Sequence, residues 1–159
     1  MPNRRDFLKT SLVTPLVLSG SDAFSQTAPA GEMLFAMHQS TSRAAGFRGS
    51  LEGWSRAGIE YVELNGGMLD EFLLNDTLLG ARALLDDLGM TPVCASTGLP
   101  DLWIPGPERG ASLEEWRRRC DQYATLGLDK LYSASVTSRP VSAEDFAATP
   151  ASVREAADI

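Results

Sequence analysis

Histidine occurs once in these 159 residues, at His38, so a zinc centre built on several histidines is excluded. Cysteine occurs twice, at Cys94 and Cys120, too few for a disulfide framework. Basic residues are outnumbered, 14 Lys and Arg against 21 Asp and Glu, and the formal net charge is −7. That balance argues against a nucleic-acid partner, because phosphate backbones are held by clustered Lys and Arg. No apolar run reaches the roughly 20 residues that cross a bilayer, so no stable membrane anchor is expected. No GxGxxG or phosphate-binding loop follows the first expected strand, which weakens a nucleotide-binding reading.

The rest of the composition, 43% hydrophobic and 22% charged, is that of a soluble globular protein with one modest core. The first 30 residues stand apart. Arg4-Arg5-Asp6-Phe7-Leu8-Lys9 resembles the twin-arginine export signature, and the short apolar stretch Leu12–Leu18 follows it. Small residues then offer cleavage before Gln26 or before Gly31. Residues 1–30 are therefore expected to be a twin-arginine signal peptide and linker. The protein is expected to be periplasmic or secreted, with residues 31–159 forming the folded domain. Cys94 is placed in a strand and Cys120 on the apolar stripe of a helix, where cysteine packs as a small hydrophobe. A bridge between them remains open in an oxidising compartment.

From Met33 onward the pattern alternates strand and helix. Strands are expected at 33–37, 59–64, 92–97 and 131–135. In the second, alternation places Tyr61 and Glu63 on one side, Val62 and Leu64 on the other. The first helix is expected to open at Ser50 and stop at Gly58, with Leu51, Trp54 and Ala57 on one face. The second runs from Thr77 to Leu88 behind an Asp76 cap, after a short helical turn at 68–74. The third is expected to open on the capping box Ser112-Leu113-Glu114-Glu115 and to carry the stripe Leu113, Trp116, Cys120, Tyr123. Arg117, Arg118 and Arg119 read as a solvated face. A fourth helix is expected from Thr149-Pro150. No Gly cap or Pro breaker closes it by Ile159, so the chain reads as part of a larger parallel α/β fold.

Such alternation implies a parallel sheet with right-handed crossovers. The fold class expected is α/β, four βα units forming the N-terminal half of an eight-stranded (β/α)8 TIM barrel, with a doubly wound open sheet as competitor. The barrel accounts for polar residues at every strand's C-terminal end: His38 and Gln39, Glu63 and Asn65, Ser96 and Thr97, Ser133 and Ser135. Glu63, beneath a Gly-Gly turn, could ligate a metal or bind a hydroxyl; the alternative is a solvated strand-end carboxylate. His38 is a candidate substrate contact or a merely satisfied polar residue. The long Pro-bearing loop 98–111 presents Trp103-Ile104 as an exposed pair and is a candidate lid. The open first and fourth strands, with Phe35, Tyr61 and Tyr132 on the inner face, lead to an expectation of self-association.

The segments Ala57–Leu64 and Leu84–Met90 resemble the sugar phosphate isomerase/epimerase family, of the xylose-isomerase-like barrel superfamily. That resemblance implies proton transfer beside a sugar carbonyl, with a divalent metal (Mn, Mg, Co or Zn) in the complete protein. Its metal-binding Glu, Asp, His and Glu come from the fifth strand onward, beyond the four expected here. No metal ligand is therefore assigned in this chain, and none is expected to bind to it alone. What carries over is Glu63 as catalytic residue, orienting substrate or supporting the metal site, with His38 and Trp103 as contacts to a sugar or keto-sugar. A non-catalytic periplasmic sugar-binding module is the alternative. An apurinic endonuclease of the same superfamily is disfavoured by the single His, the acidic charge and the export signal.

Overall fold

A computed structural model describes residues 34–159, so the signal-peptide expectation for residues 1–30 and Met33 of the first strand lie outside the described residues. The elements run β1 (Ala36–His38), a 3₁₀ segment (Gln39–Ala45), α1 (Gly46–Arg56), β2 (Tyr61–Asn65), α2 (Gly66–Leu73) and α3 (Leu78–Asp87). They continue with β3 (Thr91–Thr97), α4 (Arg109–Thr125), β4 (Leu131–Ser133) and α5 (Ala143–Ala157). The four strands are parallel and lie in the order β1-β2-β3-β4. A doubly wound sheet reverses direction at a switch point, whereas a sheet that adds every strand on the same side is the beginning of a barrel. The sequential order decides for the partial (β/α) barrel.

The register sorts side chains into two faces. Met37, Val62, Leu64, Ala95 and Leu131 point toward the helices and pack with Phe47, Leu51, Met68, Leu69, Leu85, Tyr123 and Leu126. Val62 and Leu64 are fully buried there, each contributing about 1.5–3 kcal/mol of transfer free energy. Ala36, His38, Tyr61, Glu63, Cys94, Ser96 and Tyr132 occupy the other face. The register slips between Val62 and Glu63, and Val93 is the extra residue on β3. This bulge places Cys94, rather than Val93, beside Glu63. Phe35, expected on the inner face, falls by continued alternation on the side of Met37 instead and is 70% exposed.

Several helix starts differ from expectation. α1 begins at Gly46, and Ser50 lies inside it, buried, donating to Phe47 O at 2.9 Å. Thr77, not Asp76, caps α3 by accepting from Gly80 N at 3.0 Å. α4 opens at Arg109 rather than Ser112, whose hydroxyl donates to Pro100 O at 2.6 Å and anchors the preceding loop. Arg109 reaches the carbonyls of Leu102 and Ser152 and the Glu155 carboxylate at 2.5 Å, which draws the first turn of α4 against α5. α5 starts at Ala143, not at Thr149-Pro150. Ser142 and Asp145 form a reciprocal capping box, Pro150 sits inside the helix, and Asp158 is its C-cap. The expected stops hold at Gly89 and Gly127, whose φ of +63° and +86° favour glycine.

Arg117 and Arg118 are exposed as expected, but Arg119 is only 5% exposed. Its guanidinium pairs with Asp70 and lies 3.0 Å from Glu115, because Arg119 shares the apolar stripe of Trp116 and Tyr123. Burial of that charge is tolerated only with both carboxylates in place.

Candidate active site

The barrel mouth forms where strands end and the inner face stays open. β1 delivers His38, whose carbonyl accepts from Thr41 Oγ1 at 2.9 Å as the chain turns into the 3₁₀ segment. The imidazole Nδ1 accepts from the backbone N of Ser40 at 3.1 Å, with Ser40 Oγ at 2.5 Å from the same atom. A backbone N–H only donates, so Nδ1 is the acceptor and the neutral ring carries its hydrogen on Nε2. Nε2 lies 3.0 Å from Glu63 Oε1 and 3.1 Å from Ser96 Oγ.

Glu63 is held from the other side as well, because Tyr132 donates its phenol O–H to the same oxygen, Oε1. Two of these contacts skip a strand: His38 on β1 reaches Ser96 on β3, and Glu63 on β2 meets Tyr132 on β4. Side chains of alternate strands share layers in the interior of a barrel. The Glu63 hydrogen bond raises the Tyr132 phenol above its ordinary value, with burial and the carboxylate's charge acting in the same direction. Burial, then the Glu63 charge, likewise pushes the Cys94 thiol up.

Other expected mouth residues turn inward or are otherwise engaged. Gln39 is fully buried, accepting from Asn65 N at 3.0 Å and donating to Ser50 Oγ at 3.2 Å. It bolts the 3₁₀ segment to β2 and is not a ligand contact. Asn65 caps α2 through Met68 N at 3.2 Å. Thr97 is 7% exposed on the helix-facing side, and Ser133 Oγ accepts from Leu99 N. The turn after Asn65 presses on β3: a Cβ at Gly66 would meet Ser96 O at 3.3 Å and Tyr123 OH at 3.4 Å.

Trp103 is half-buried and Ile104 buried, so the expected exposed pair is corrected. Leu99, Leu102 and Trp116 form a satellite core that draws the loop inward. The loop is also tied to the segment after β4. Asp101 accepts from Ser138 N at 2.9 Å and Ser138 Oγ at 2.5 Å, Arg139 reaches Pro105 O, and Trp103 Nε1 donates to Ala134 O at 3.1 Å. Trp103 lines a groove of about 420 Å³ with Ile104, Ser135, Val141, Phe146 and Val153. Neither His38 nor Glu63 lines that groove. The structure thus brings His38 and Glu63 together and leaves Trp103 in a neighbouring space.

Among the described residues, no three His, Cys, Asp or Glu side chains cluster as a metal cage. Glu63 Oε1 already takes the Tyr132 donor and lies 3.0 Å from His38 Nε2, and a thiol pushed up by burial beside it is a poor ligand. The described residues do not fit a divalent ion, and no chemical step is routed through one. Also among them, no helix is long and apolar enough to cross a membrane.

No family model and no curated protein matches the chain. Solved structures do. D-psicose 3-epimerase in the presence of D-fructose is similar at 20% identity and a TM-score of 0.64, over 79% of this chain and 48% of that one. The IOLI protein with a binding zinc atom is similar at 17% identity and a TM-score of 0.63, over 79% and 47%. A sugar phosphate isomerase/epimerase from Parabacteroides distasonis ATCC 8503 is similar at 19% identity and a TM-score of 0.57, over 84% and 49%. The chain spans about half the length of these structures. What the likeness shows is the fold: this chain is built as one half of the α/β barrel seen in structures of sugar isomerases and epimerases.

Proposed function

We propose that the chain supplies the first four βα units of an exported sugar isomerase or epimerase. The reaction would be proton transfer beside the carbonyl of a sugar or keto-sugar. One observation carries this reading: His38, Glu63, Ser96 and Tyr132, from four different strands, converge on one polar layer at the strand ends. Such a layer suits a neutral polyol, offering a charged acceptor beside several donors. Glu63 takes a hydroxyl hydrogen or supports the metal site, His38 stands beside it as a contact to a sugar hydroxyl, and the Trp103 loop covers the neighbouring pocket. A divalent ion held by ligands outside these four units would, when bound, polarise the sugar's oxygens.

Deuterium incorporation next to the carbonyl of D-fructose or a related keto-sugar, followed by NMR in D2O with the complete protein, tests this reading. Incorporation is expected, and E63Q should slow it by about tenfold or more, the weight of a charged hydrogen bond. Sugar binding without exchange would replace the enzyme by a non-catalytic sugar-binding module. Exchange untouched by E63Q would move the site away from Glu63.

A further inference from the structure

Tyr132 is the member of the polar layer whose role the reading above does not use. Its ring is 48% exposed, yet its hydroxyl is directed across β3 onto Glu63. The hydrogen bond from Tyr132 and the 3.0 Å approach of His38 Nε2 both fall on Oε1 of Glu63.

We propose that Tyr132 is a positioning residue: with His38 it clamps Oε1 of Glu63 and thereby presents Oε2 as the oxygen that meets a sugar hydroxyl. The proposal rests on the reading of this cluster as the sugar-contacting layer. The geometry behind it is specific. A carboxylate on a strand has free rotation about its last bonds, and one donor fixes one oxygen but not the plane. Contacts from β1 and β4 reach Oε1 from the two sides of β2, which restricts the plane too. Ser40 completes the device by engaging His38 Nδ1, which keeps the hydrogen of the neutral ring on Nε2, the nitrogen 3.0 Å from Glu63 and 3.1 Å from Ser96 Oγ. Ser96 is small enough to let Tyr132 pass over β3, and its register partner on β4 is Tyr132 itself. The specificity that follows is for a ligand bringing a hydroxyl donor to Oε2. A ligand bringing a carboxylate or phosphate there meets a fixed negative charge.

The single histidine makes the test clean, because its ring nitrogens give the only imidazole signals of the full chain. Long-range 15N NMR of the neutral ring should show hydrogen on Nε2. Y132F should move the His38 Nε2 resonance, since the Glu63 oxygen 3.0 Å away loses its phenol donor. The same substitution in an E63Q background should leave that resonance nearly still. A purely structural role would move it alike in both backgrounds and would overturn the clamp, as would no movement in either. A second measurement covers a poorly folded Y132F: 13C-tyrosine titration of the intact chain should place the Tyr132 midpoint lower in E63Q than in wild type. An unchanged midpoint would overturn the proposal as well. D-fructose then separates the two readings. If it leaves the His38 signals untouched while the Y132F effect depends on Glu63, the clamp stands and the sugar reading falls.

Discussion

The phenol of Tyr132 donates to the carboxylate of Glu63 across 69 positions of sequence and across an intervening strand. On a flat sheet, side chains of β2 and β4 would stand about two strand spacings apart, roughly 9–10 Å. A tyrosine and a glutamate, both long, lean toward each other over the small Ser96 and close that gap. A single side-chain contact therefore marks the place where the inner face gathers its polar groups.

The Glu63 charge should be readable in the chemistry of its neighbour Cys94. Burial is the largest cause of the raised thiol, followed by the Glu63 charge and then its hydrogen bond to the thiol. E63Q removes the charge and weakens that hydrogen bond while leaving burial, so the thiol should ionise at lower pH and react faster with a disulfide reagent near pH 8. In a C120S background, a several-fold faster modification of Cys94 is expected, and an equal or slower rate would contradict the placement of the carboxylate.

Tyr123 offers a test on the helix-facing side. Its ring is 1% exposed and its hydroxyl finds no protein partner among the described residues. Burial pushes the phenol up to about 12 from 10.0. Y123F removes an unsatisfied buried hydroxyl and should be neutral or stabilising by about 1 kcal/mol at neutral pH. A phenol raised on folding contributes stability that is complete below its unfolded value and lost as pH rises through its folded value. Between pH 10 and 12 the wild type should therefore lose stability that Y123F keeps. Denaturant melts across that range would show the two curves diverging; parallel curves would mean that the hydroxyl is not buried.

Much of this arrangement was legible in the residues, and its failures have physical causes. The alternation of Tyr61–Asn65 placed Val62 and Leu64 against the helices and Glu63 on the open face, because a period of two leaves no other choice. The Val93 bulge carries no local signal, since only the pairing with β2 reveals it. Arg119 looked like its neighbours Arg117 and Arg118. Its phase, three residues after Trp116 and four before Tyr123, put it on the apolar stripe, and Asp70 from another helix together with Glu115 one turn earlier makes that burial tolerable. The Ser142–Asp145 capping box opens α5 seven residues before the expected start at Thr149-Pro150, and Pro150 is accommodated in the helix interior. Trp103 looked exposed because nothing local announces the satellite core that holds its loop.

Gln39 shows how a polar residue next to the site can be structural. Its amide joins Asn65 N, Ser50 Oγ and Phe47 O in a fully buried position. Q39L leaves the Asn65 N–H without its acceptor and should cost about 1–3 kcal/mol in a urea melt. Because Asn65 also caps α2, the loss should appear as unfolding of the whole domain rather than as fraying. A loss below about 0.5 kcal/mol would show that the bolt carries no weight.

Export is a separate expectation, resting on Arg4-Arg5 ahead of the short apolar run Leu12–Leu18. The twin-arginine route depends on the guanidinium pair and not on charge alone, so R4K/R5K should abolish processing while the net charge stays the same. Immunoblots of periplasmic and cytoplasmic fractions would check this. Unchanged appearance of a shortened periplasmic product would remove the export proposal.

The last expectation concerns association, and it comes from the two edges of the sheet. Among the described residues β1 and β4 each pair on one side only, leaving a row of unpaired N–H and C=O groups on the other. Beside the β4 edge, α5 turns outward Phe146, 75% exposed, and Val153, in the groove shared with Trp103 and Val141. Beside the β1 edge, Leu34 and Phe35 are exposed as well. Apolar groups flanking an open strand edge favour addition of another strand. Two copies related by a twofold axis along the barrel axis would set β4 of each against β1 of the other, parallel as within the sheet. The chain on its own is therefore expected to be dimeric, molten or aggregating, and F146E should weaken association by placing a charge where the added strand would lie. Sedimentation combined with ANS binding checks both variants. A compact monomer with a sharp melt and no ANS signal would mean that the open inner face needs no cover, against the half-barrel's need for the other side's packing.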